Sequence, residues 1–151
     1  MMFRKKTTSI FSEEEKKQIV TAVKKAEQNT SGEVRVFIES KCSFIDALDR
    51  ASEVFFSLKM DQTEHRNGVL VYLAYRDRQV AVFGDEGIYE KLGASFWNNA
   101  VQYMLHTFQE RHMADGIIHV VNEIGESLAK HFPYEANIDR NELPDEIVFG
   151  K

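Results

Sequence analysis

Gly84-Asp85-Glu86-Gly87 places two adjacent carboxylates between glycines, directly after an apolar stretch. Carboxylates on a turn are hard oxygen donors, the type that calcium and magnesium take. The Asn67 amide, the Glu33 carboxylate and free main-chain carbonyls could complete the ligand set, and Asp115 could approach it. Calcium accepts irregular cages of about six to eight oxygens, whereas magnesium demands near-octahedral order. A glycine-flanked loop therefore suits calcium better, with magnesium the less favoured ion. The plainer reading of the same residues is a solvated turn, with glycines for positive φ and acids for water.

Other chemistries find no support in the spacing. Asp115 and Glu126 stand like the ends of an EF-hand loop, but Ile117 and His119 occupy ligand positions between them and the required glycine is missing. The acidic loop follows a strand without GxGxxG spacing, and its charges would repel a pyrophosphate, so no nucleotide cofactor is expected. P-loop and HExxH motifs are absent. His106 and His112 lie six apart, which is not same-face ligand spacing, and His119 and His131 are isolated. The single cysteine, Cys42, excludes an internal disulfide and reads as a small residue at a strand end.

Elements must hold the acidic loop in place. Residues 69–75 are unbroken apolar sequence, as expected of a central strand buried on both faces. Residues 76–79 suit a hairpin, and residues 79–83 return as an antiparallel neighbour. Upstream, Ser12-Glu13-Glu14-Glu15 forms a capping box for a helix to about Asn29. A strand over residues 33–39 follows, with Val34, Val36 and Ile38 on one face and Arg35 and Phe37 on the other. A second helix, capped from Ser43, spans about 47–60, and its place between two strands implies a parallel crossover. Downstream, a helical turn over 88–92 precedes helices over about 95–111 and from Asp115 to Phe132-Pro133. Trp97 on the first of these reads as core rather than as a cofactor platform.

The expected fold class is therefore α/β: a single-domain α/β sandwich with a small mixed central sheet and helices on both faces. Residues 1–10 form a basic arm, residues 11–133 the domain, and residues 134–151 an acidic tail. That tail holds five acids and two bases, and Leu143, Ile147, Val148 and Phe149 could dock it. By topology the exit of the third strand shares a sheet edge with the entries of the first two, which gathers Asp85, Glu86, Glu33 and Asn67.

At 151 residues and net charge −5, the chain suits one core and argues against a nucleic-acid partner. Arg4-Lys5-Lys6 is followed by no apolar signal region, and no run approaches membrane-spanning length. The expectation is a cytoplasmic chain with no membrane insertion.

Arg66-Asn67-Gly68-Val69-Leu70, Gly84-Asp85-Glu86-Gly87-Ile88, and Phe108 with Gly116-Ile117 downstream resemble the TPM domain. This is the family of thylakoid-lumen acid-phosphatase-like and photosystem II repair proteins, with many bacterial relatives. Thr30-Ser31-Gly32-Glu33-Val34 is similar to its entry into the first strand, and Asp77-Arg78 to its hairpin turn. The resemblance covers about residues 11–132. It implies an α/β sandwich, a divalent-cation site (calcium in some members) and, for some members, a proposed phosphatase activity. The family often carries an LPD segment after the glycine loop; here Lys91-Leu92-Gly93 stands in that region. Three functions follow: a calcium-binding accessory or regulatory module with an unidentified protein partner, a metal-dependent acid phosphatase, or a purely structural interaction domain. A phosphatase would use Arg66 as the cationic group for a phosphoryl. No serine or cysteine has an evident base, so no catalytic residue is assigned.

Overall fold

The computed structural model describes residues 10–42, 46–134 and 147–150. The basic arm up to Ser9, the expected Ser43 cap and residues 135–146 of the tail lie outside these.

Helix α1 (Glu13–Glu27) starts at the expected capping box: Glu15 N–H donates to Ser12 Oγ at 3.0 Å, and Ser12 N–H to Glu15 Oε1 at 2.9 Å. It buries Ile19, Ala22 and Val23. Strand β1 (Glu33–Glu39) leads to helix α2 (Ala47–Ser57), then to strand β2 (Gly68–Ala74) and strand β3 (Gln79–Gly84). Helix α2 is capped by Asp46, whose carboxylate accepts from Leu48 N–H at 3.0 Å. Helices α3 (Glu86–Leu92), α4 (Ala94–Gln109) and α5 (Met113–His131) follow.

The sheet order is β3-β2-β1-β4, where β4 is Val148–Phe149. Strands β1 and β2 run parallel and β3 runs back against β2, as expected from the crossover and the hairpin. All seven residues of β2 are buried, which makes it the centre of the sheet. The fourth strand comes from the end of the tail, where Val148 and Phe149 pair in parallel with the outer edge of β1. Val148 and Phe149, two of the residues expected to dock the tail, supply the β-propensity there.

Strand alternation divides the core into two layers. Val34, Val36, Ile38, Val69, Val71 and Leu73 face α1, α4 and α5. Phe37, Leu70, Tyr72 and Ala81 face α2, which contributes Ala51, Val54 and Phe55. The architecture is the α/β sandwich expected, with three long helices on one face and one on the other. No helix among the described residues is long and apolar enough to cross a membrane.

Candidate functional site

Strand β3 delivers Asp85 to the end of the sheet where β1 and β2 begin. There Asp85 N–H donates to Gly68 C=O at 2.9 Å, one step beyond the last register pair, Val69 with Gly84. What the sequence presents as an acidic loop is the start of α3. Asp85 is the N-cap, its Oδ1 accepting from Glu86 N–H at 2.8 Å, and Glu86 is the first helical residue. Acids at these two positions suit the orphan N–H groups and positive end of a helix.

The flanking glycines serve close packing, since neither has positive φ. A Cβ on Gly84 would lie 2.7 Å from Trp97 Cζ2, and one on Gly87 would lie 2.5 Å from the Arg66 carbonyl oxygen. Trp97 is a core residue, stacked on Tyr89 and donating from Nε1 to the Tyr89 carbonyl at 3.0 Å.

Asp85 is buried, and its carboxylate is held by a two-pronged pair: Arg66 Nε donates to Oδ2 at 2.8 Å and Nη2 to Oδ1 at 2.9 Å. The exposed Glu86 carboxylate approaches the same guanidinium at 3.5 Å. Arg66 sits at φ 51°, a left-handed turn that aims the side chain back over β3, and Gly87 N–H donates to its carbonyl at 2.8 Å. The Asp85 hydrogen bonds hold the guanidinium above its ordinary pKa range.

The other expected donors are distributed differently. Glu33 is buried at the same end, but it pairs in register with Gly68 from the β1 side, while Asp85 meets Gly68 from the β3 side. Two strand spacings, roughly 9–10 Å, therefore separate their backbones. Asn67 is 1% exposed; its Nδ2 donates to Ser31 Oγ at 3.3 Å, while its Oδ1 has no hydrogen-bond partner among the described residues. Asp115 is at the opposite end of the molecule. Its neighbours Met113 and Ala114 line a cavity with Tyr75 and Arg78 at the β2–β3 hairpin, while Phe132, just past the other end of α5, accepts from Ser31 N–H. At 1.5 Å per residue a 19-residue helix spans roughly 27 Å, so Asp115 cannot join Asp85. Among the described residues no three His, Cys, Asp or Glu side chains gather as a metal cluster. His106, His112 and His119 each face a carboxylate on or beside their own helix.

A second polar cluster lies at the far end of β1, beneath α2. The buried Glu39 carboxylate accepts from Arg50 Nε and Nη2, both at 2.8 Å, and from the fully buried Tyr72 hydroxyl. Burial, then the Glu39 contact, push the Tyr72 phenol above its usual pKa. Unfolded chains lose this proton near pH ~10, whereas the folded chain retains it. Stability should therefore be full below pH ~10 and fall by about 1.4 kcal/mol per unit above it. Urea melts between pH 9 and 11 should show this slope, and Tyr72→Phe should flatten it; an unchanged slope would assign the effect to another group.

Comparison with known proteins settles the family. The family model described as the TPM domain matches residues 5–127. The chain belongs to the TPM-domain family. Its TPM fold is similar to the NMR structure of the BA42 protein from the psychrophilic bacterium Bizionia argentinensis, with TM-score 0.83 and 40% identity over 93% of this chain and 95% of that one. It is also similar in fold to the N-terminal domain of the cg2496 protein from Corynebacterium glutamicum, with TM-score 0.64 and 14% identity over 83% of this chain and 82% of that one. No curated protein matches this TPM domain.

Proposed function

We propose that this TPM domain is a non-catalytic accessory module that binds a divalent cation, calcium in preference to magnesium, at the Asp85–Glu86 edge. The observation that carries this reading is the convergence of two carboxylates on one guanidinium: Asp85 at 2.8 Å and Glu86 at 3.5 Å from Arg66 nitrogens. The guanidinium occupies the place where positive charge is wanted. In the arrangement described the acids do not form a cage, because both Asp85 oxygens are engaged by Arg66 and one also caps α3. A calcium ion would compete with Arg66, and main-chain carbonyls and water would supply its other ligands.

The acid phosphatase alternative gains nothing from the geometry. A cationic group for a phosphoryl must be available to the substrate, and Arg66 commits Nε and Nη2 to Asp85.

A cation that binds only the folded state raises stability by about 2.7 kcal/mol at a hundredfold excess over Kd. Millimolar calcium should raise the melting temperature, and Asp85→Asn with Glu86→Gln should abolish the rise. Arg66→Ala, which removes the competitor, should enlarge it at the same calcium concentration. Asp139→Asn with Glu142→Gln, at tail positions outside the described residues, should leave it intact. No shift in either the wild type or Arg66→Ala, or its loss in the tail variant alone, would overturn the reading.

A further inference from the structure

The sheet has two edges, and the chain treats them differently. The outer edge of β1 is covered by β4. The outer edge of β3 is left to a groove of about 720 Å³ that runs along residues 80–84 between α2 and the α3–α4 pair. Asp85 N–H bonds to Gly68 C=O, so alternation along an antiparallel pair puts Phe83 and Ala81 in bonded pairs with β2. It turns the N–H and C=O of Val80, Val82 and Gly84 outward, into the groove. No hydrogen bond from the described residues reaches these groups, although Val80 and Val82 are only 7% and 4% exposed. Buried main-chain groups are almost always paired, so this row is a template for another strand.

The edge lacks two of the usual protections against such pairing. Val80-Ala81-Val82-Phe83-Gly84 holds no charge and no proline. The groove walls are apolar, and three of the molecule's exposed large hydrophobic residues line them: Leu48 and Phe56 from α2 and Tyr89 from α3. Side chains of an added strand would alternate between these two walls. Charge stands at the groove's ends. Asp46 caps α2 where β3 begins, and Glu86 and Glu90 lie where β3 ends. Arg66 is the basic residue on the lining, and it is already paired with Asp85.

We propose that this groove binds an extended peptide segment of a partner protein, added as a fifth strand on β3, with an apolar centre and basic flanks. Main-chain hydrogen bonds to Val80, Val82 and Gly84 would supply affinity, and the walls and terminal acids selectivity. A second copy of this chain fits less well, because two such grooves would bring Asp46, Glu86 and Glu90 against their own kind. The groove shares Glu86 with the cation reading but does not require the cation, and it gives the accessory role a partner class.

The probe is an acetylated, amidated heptapeptide with a valine–isoleucine–valine centre and two lysines on each side. Titrated in EDTA and followed by NMR, it should move and protect from exchange the amides of Val80, Val82 and Gly84, with Kd at or below about 1 mM. The same peptide with glutamate flanks, or with N-methyl groups along one edge of its centre, should bind at least tenfold more weakly. Glu90→Lys should weaken the lysine-flanked probe severalfold and strengthen the glutamate-flanked one, a reversal that a misfolded variant would not give. Absence of shifts at residues 80–84, equal binding of both flank types, or unaltered binding of the N-methylated peptide would overturn the proposal. So would concentration-dependent protection of these amides with a dimer in sedimentation, which would make a second copy the occupant. Because EDTA is present throughout, failure here leaves the calcium-dependent melting result to be judged separately.

Discussion

Glu39→Ala is expected to lower the unfolding free energy by about 3 kcal/mol, the lower end of the range for breaking a buried ion pair, because Arg50 is only partly buried. Glu39 is 4% exposed, and its carboxylate serves two partners at once. Without it the Arg50 guanidinium, which lies 5.9 Å over the Phe37 ring, loses both short bonds to the sheet. The Tyr72 hydroxyl, in the middle of the most buried strand, loses its carboxylate acceptor. Glu53, on the same helix, continues to face Arg50. The cost arises from the groups left behind, so Glu39→Met combined with Tyr72→Phe should lose less than the two single changes added together. Urea melts of the four variants decide this; strict additivity of Glu39→Met and Tyr72→Phe in the double variant, or a loss below about 1 kcal/mol for Glu39→Ala, would show that the cluster is not coupled.

Gly87→Ala is expected to cost about 3 kcal/mol, at the upper end for overpacking. The new methyl group would lie 2.5 Å from the Arg66 carbonyl oxygen and closer still to that of His65. Both obstacles are main chain, so a rotamer change cannot relieve them. The start of α3 must move, and with it the Gly87 N–H to Arg66 C=O bond and the Glu86 side chain. The variant should thus show a lowered melting temperature together with large amide shifts at residues 65–68 and 85–88. A normal melting temperature would mean that this junction yields more readily than its contacts imply.

These two positions show how the sequence can be read and misread. The core strands were legible because a continuous apolar run and a strict alternation have few other solutions; β1 and β2 fall within a residue of expectation. Gly87 was legible as special but not in its role, since a glycine within a seven-residue helix looks like a turn. Close approach to a carbonyl 21 positions upstream leaves no local trace. Asp115 was misplaced for a different reason. From the end of β3, α4 climbs back to the hairpin and α5 descends, so the start of α5 must lie far from Asp85; following chain direction element by element would have shown it. Glu39 carried a weak signal, a charge at the end of a strand whose neighbour contains a tyrosine among aliphatic residues. A buried tyrosine hydroxyl usually finds a partner, but Arg50 comes from another element. The open edge of β3 depends on the strand order, and that order was incomplete without β4.

That fourth strand also bears on how the chain reaches its native state. Strand β2 meets β3 across a four-residue turn, and meets β1 after one helix, whereas Phe37 and Val148 are more than 100 positions apart. Joining such distant segments carries a large loop-closure entropy, and two residues return little contact for it. The hairpin and crossover should therefore assemble first, with β4 arriving after the rate-limiting barrier. Substitutions at Val148 should then speed unfolding and leave the folding rate unchanged.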